Sequence, residues 1–125
     1  MEKQMATGLK TTFLVHFIVA LIFGLTLLLL PQAWTLVGFP VREVPPYRLV
    51  GAAMLGFAAS SWLSYKATVW EKVRIVVQME IVWTVLAALV FLWGVLFAAL
   101  PVFGWVGFVL MVGFAAAFIV FYARS

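Results

Sequence analysis

The charged residues of this chain fall in clusters separated by long apolar gaps. No Asp, Glu, Lys or Arg occurs from Thr11 to Val41, from Leu49 to Tyr65, or from Ile81 to Ala123, gaps of 31, 17 and 43 residues. A membrane-crossing helix needs about 20 apolar residues, so the last gap holds two crossings and a turn. Leu100-Pro101-Val102-Phe103-Gly104 supplies that turn, because proline and glycine both interrupt a helix. The pattern predicts an all-α polytopic membrane protein, four transmembrane helices in a compact bundle, with spans at about 11–30, 48–65, 74–98 and 104–122. The alternating pattern of a membrane barrel, the other structure that satisfies its backbone in lipid, is absent.

Composition sharpens this picture. The 125 residues form one domain, 67% hydrophobic and 10% charged, against roughly 45–50% and about 25% in soluble domains. So small a soluble fold has no interior large enough for that much apolar surface. A bilayer hides it.

Eight Lys and Arg against four acids leave a net charge of +4. The basic residues follow helix ends and form no patch suited to nucleic acid. Lys3, Lys10, Lys66, Lys72, Arg74 and Arg124 fall on the side of the N-terminus, and only Arg42 and Arg48 on the other. Short basic segments stay in the cytoplasm, so both termini are expected there, with anionic lipid headgroups beside the basic rim. The chain has no cysteine, which removes disulfides, thiolate metal sites and thiol redox chemistry. The first apolar stretch follows Lys3 and Lys10 as a signal peptide would, but Pro31-Gln32-Ala33 is a poor cleavage site, so it is read as an uncleaved span.

The one long loop, Gln32 to Tyr47, carries Trp34, Phe39 and three of the five prolines, suiting a segment in the headgroup layer. Trp34-Thr35-Leu36-Val37 reads there as a short interfacial helical turn. The third helix is expected to start near Trp70 and to protrude or tilt. In the second helix Ala52, Gly56, Ser60 and Ser64 stand four apart, a helix-packing face that lets another helix approach closely. That neighbour is either a helix of the same chain or a second copy. A weak repeat is visible as well: Phe23-Gly24 followed by Leu30-Pro31 recurs 70 residues on as Trp93-Gly94 and Leu100-Pro101. It fits two parallel helical hairpins.

Polar groups inside spans are the candidates for function, because lipid leaves them no other partner. They are His16, Gln78, Glu80, Thr84, Thr26 and the serines Ser60, Ser61 and Ser64. Glu80 lies 21 residues before Pro101, as Lys10 does before Pro31. If both prolines mark one surface, Glu80 sits at the inner boundary and His16 about 9 Å deeper. Glu80 is then either a headgroup-level carboxylate paired with Lys10 or Lys66, or a ligand- or proton-binding group facing a cleft. His16 is interhelical glue bonded to hydroxyls, a proton or ligand site, or an axial ligand to haem or chlorophyll. Any pocket, lined by His16, Ser60, Ser64 and Thr84 with Glu80 at its mouth, is expected to open toward the cytoplasm or sideways into the inner leaflet, since the outer half is nearly pure Leu, Val, Ala, Phe and Trp. Signatures of catalysis and metal binding are missing: Ser60 and His16 have the makings of a pair, but no third partner is evident.

The stretch Arg48-Leu49-Val50-Gly51-Ala52-Ala53-Met54-Leu55-Gly56-Phe57-Ala58-Ala59-Ser60-Ser61-Trp62, after a leucine-rich span ending in proline, resembles small prokaryotic four-helix membrane proteins of the broad DoxX-like group. The resemblance implies a compact four-helix bundle. That group, found in prokaryotic inner membranes, includes accessory subunits of membrane oxidoreductases; the small-residue face of the second helix, the apolar outer half and the lack of reactive groups favour a non-catalytic accessory or scaffold subunit, packing against other membrane proteins or against itself. The alternative from the residues is a binder or carrier of an apolar ligand, lipid or quinone. No cofactor is specified by either reading.

Overall fold

The computed structural model describes residues 3–125, and its architecture is all helical. Four α-helices follow one another: α1 (Thr7–Leu29), α2 (Val44–Lys66), α3 (Arg74–Phe97) and α4 (Gly104–Ala123). Three of them, α1, α3 and α4, are long and apolar enough to cross a membrane. They turn bare Ile, Leu and Val side chains outward, among them Ile22, Leu89 and Val109. These are the marks of a membrane protein in contact with lipid.

Each helix ends for a local reason. The chain leaves α1 at Pro31, which opens a 3-10 helix over Pro31–Val37. This is longer than the turn expected at Trp34–Val37, and it closes on Gly38, whose φ of 95° favours a residue without a Cβ. Pro45 and Pro46 fall in the first turn of α2, where missing N–H groups cost nothing. A 3-10 turn at Trp70–Lys72 precedes α3, so α3 starts one turn later than the sequence suggests and has little excess length to shed.

α1 packs along α2 and α3 along α4, giving two hairpins; α1 meets α4 more sparsely and α2 stands apart from α3. The closest approach within the first hairpin is at Gly24 and Gly51. A Cβ added to Gly51 would lie 2.6 Å from the Leu28 nitrogen and 2.9 Å from the Gly24 carbonyl oxygen. Here the expected packing face needs correction. Ala52 and Gly56 are exposed, nothing lies within 4 Å of where a Gly56 Cβ would stand, Ser60 is half-buried, and only Ser64 is buried. A step of four advances 40° beyond a full turn of a 3.6-residue helix, so this row slides around α2 from the outside inward. The face that does pack is Gly51, Ala58, Ser61 and Ser64.

The termini meet at one end. Gln4 pairs with Val69, Met5 N–H donates to the Thr68 carbonyl (3.1 Å), and Trp70 N–H donates to that of Lys3 (2.8 Å). Lys3 Nζ donates to the Arg124 carbonyl at 3.1 Å. At this end Leu9, Phe13, Trp70, Val73, Val77 and Phe118 form a buried apolar cluster. At the other end Trp34 packs against Phe23, Phe39 and Phe103 with ring centroids 5.3–5.7 Å apart, and its indole N–H donates to Thr26 Oγ1 (3.2 Å).

Candidate functional site

Between these ends all four helices contribute to one polar layer. His16 projects from α1, where its Nδ1 lies 2.7 Å from Ser61 Oγ of α2. On its other side Nε2 lies 3.3 Å from Glu80 Oε2 of α3. The separation is that of an ion pair, yet neither Glu80 oxygen is aligned to accept a hydrogen bond. From α4, Phe114 and Phe118 stand edge-on to the imidazole at 4.8 and 6.0 Å. Thr84, one turn beyond Glu80, donates its hydroxyl back to the Glu80 carbonyl (2.7 Å). Glu80, Ser61 and Thr84 have no exposed surface, and His16 has 3%.

The sequence-derived candidates thus divide. His16 and Glu80 come into contact, with Thr84 alongside and Ser64 buried one turn from Ser61. Ser60 is not part of the layer; its neighbour Ser61 takes the place on His16. The third partner that seemed missing for a serine and a histidine is Glu80. Ser61 Oγ, however, is sealed in the helix interface and borders no cavity. Ser61 stood beside Ser60 among the polar residues of the second helix, and spacing alone did not separate the two.

The depth assigned to Glu80 also needs correction. Glu80 pairs with neither Lys66 nor Lys10, whose Nζ donates to the Ala67 carbonyl (3.4 Å), and it is level with His16 rather than about 9 Å from it. The two prolines are unequal markers. After α3 the chain doubles back through Ala99, at φ 55°, and the Leu100 N–H donates to the Gly94 carbonyl (3.0 Å). A Cβ on Gly94 would meet Leu100 Cδ1 at 2.3 Å. The six positions from Gly94 to Leu100 add no net rise. Counted to Gly94, Glu80 is 14 positions in, as His16 is from Leu30. The two repeats therefore differ in packing: Gly24 admits α2, whereas Gly94 admits its own turn.

Beyond the polar layer lies a cavity of about 500 Å³ whose wall is entirely apolar. Along α3 it runs from Trp83 to Phe91, about 12 Å at the helix rise. Leu27 of α1, Met54 of α2 and Met111 of α4 face it, and Trp34 and Phe39 close it at the far end. Val50, Leu86 and Val90 line it and are exposed, so its mouth is the gap between α2 and α3. Phe57 and Trp83, with rings 4.9 Å apart, bridge that gap at the level of the floor. This is the half of the fold remote from the termini, not the half in which the sequence placed a pocket. None of His16, Ser60, Ser64, Thr84 or Glu80 lines it. Trp83 connects the two regions: it borders the cavity, and its indole N–H is buried without an acceptor.

Among the described residues no group of three or more His, Asp or Glu is placed to hold a metal ion. No family model, curated protein or solved structure matches the chain.

Proposed function

We propose that the protein spans a prokaryotic inner membrane four times, with both termini cytoplasmic, and binds an apolar molecule, such as a lipid or quinone tail, in the cavity between its hairpins. Two observations favour α2 as the fourth span. Lys3 and Arg124 touch, which favours an even number of crossings. The serines that make α2 less apolar than its neighbours include Ser61 and Ser64, which are buried away from lipid. The six-to-two distribution of basic residues then orients the termini inward.

The cavity carries the binding proposal. Its volume falls in the range of small-molecule sites, about 300–1,000 Å³, and its wall exposes no polar surface. A side mouth between α2 and α3 suits a molecule arriving from lipid rather than from water. The test is extraction of protein purified in mild detergent, with about one apolar molecule per chain expected. Ala87→Phe, which fills the cavity, should lose that molecule while the chain stays folded. Recovery of no stoichiometric molecule from the unaltered protein would sink the proposal.

A second reading is favoured by the open face of α2. Exposed Ala52 and Gly56 leave room for a close helix neighbour, as expected of an accessory subunit such as those found in the DoxX-like group that α2 resembles. Gly56→Leu should then release a partner protein, or dissociate a self-assembled form, without unfolding the chain. Strictly monomeric protein with no partner would exclude this reading.

A further inference from the structure

We infer that His16 and Glu80 form a proton-binding site within the proposed membrane bundle, in which one proton shared by Nε2 and Oε2 closes their 3.3 Å separation into a hydrogen bond that the present side-chain orientation does not make. The inference does not depend on the cavity. It starts from what surrounds the carboxyl group. Among the described residues His16 of α1 is the one titratable group within ion-pair distance of it; Ser61 of α2 and the rings of Phe114 and Phe118 of α4 pack on His16 in turn, and none of them carries a charge. On α3 itself, Thr84 spends its hydroxyl on the backbone and Gln78 donates to Tyr122 (2.9 Å). The nearest cations are engaged elsewhere: Lys10 with Ala67, and Arg74 with Glu71 at 3.9 Å.

A carboxylate with no cation beside it leaves a bare charge in hydrocarbon, which is costly. A neutral carboxyl or a carboxylate beside an imidazolium avoids that cost. These two forms hold the same number of protons and differ only in where one of them sits. In the first, Oε2–H donates to Nε2. In the second, the O–H bond has broken, an N–H bond has formed at Nε2, and the net charge is still zero. Ser61 suits both forms. Ser61 Oγ lies 2.7 Å from Nδ1; in the tautomer the inference assigns, Nδ1–H donates to that oxygen, and Nε2 is left as the atom that shares the proton.

His16 is the only histidine, so protein labelled with ¹⁵N-histidine reports this residue alone. Wild-type protein in detergent should show Nδ1 protonated and Nε2 in a strong hydrogen bond. Glu80→Gln should move the Nε2 signal and leave Nδ1 in place, and Ser61→Ala should move Nδ1. The inference is overturned if Nδ1 is the bare nitrogen, or if the Nε2 signal is identical in wild type and Glu80→Gln. Should Glu80→Gln fail to fold, the wild-type spectrum still decides: a bare Nδ1, or an Nε2 free of hydrogen bonding, overturns it.

Discussion

Gly51 of α2 rests against Gly24 of α1 so closely that the two backbones touch, with no room for a methyl group between them. This crossing sets the spacing of the first hairpin and places Ser61, ten positions further along α2, beside His16. Gly51→Ala should therefore force the helices apart and cost about 1–3 kcal/mol, the range for overpacking. Gly56→Ala meets open space and should change stability by no more than the helix-propensity gain, about 1 kcal/mol. Reversible unfolding of both variants in mixed micelles checks the contrast, and equal losses would place the helix crossing elsewhere.

Ser61 and Ser60 offer a second contrast within one dipeptide. Ser61→Ala leaves a buried imidazole nitrogen without its partner, a loss of about 1–3 kcal/mol. Ser60 is half-buried, so Ser60→Ala should stay within about 0.5 kcal/mol. The same unfolding measurement applies, and a larger effect at Ser60 would contradict the geometry.

The chain reversal after α3 turns on Ala99, held at φ 55° and exposed. A β-branched side chain there is strained, so Ala99→Val should lose about 1–3 kcal/mol. Ala99→Gly, which adopts this conformation freely, should lose nothing beyond about 0.5 kcal/mol. Paired melting curves test this, since neither change removes a buried contact.

Trp34 roofs the cavity, tied to Thr26 by one hydrogen bond. Trp34→Phe keeps an aromatic ring in the roof and should cost about 0.5–1.5 kcal/mol, the worth of that bond. Trp34→Ala opens the roof and should release a bound apolar molecule several-fold faster. Dissociation of a fluorescent lipid probe reads the difference, and an unchanged rate would remove Trp34 from the binding path.

The helices were legible in the sequence because each is bounded by charges or by proline, and charge placement is a local property. Observed helix ends lie within four residues of those expected: α1 begins at Thr7 rather than 11, and α2 at Val44 rather than 48. Depth was not legible. Whether Pro101 lies beyond Gly94 or level with it depends on Leu100 folding back onto that glycine, a tertiary contact that the residue count cannot reveal. His16 and Glu80 were each recognisable as buried polar groups, and their meeting was hidden behind the same error. The cavity left no trace in the pattern, since its lining of Leu27, Met54, Phe91 and Met111 reads like any packed interior.

The proposed topology turns on α2 crossing the bilayer and returning the chain to the side on which it began. With no native cysteine to interfere, Lys72→Cys, Arg124→Cys and Arg48→Cys can each be labelled with a membrane-impermeant reagent in sealed inner-membrane vesicles. The expected result is one face for positions 72 and 124 and the opposite face for position 48. Labelling of 72 and 124 from opposite faces would contradict the four-span topology outright.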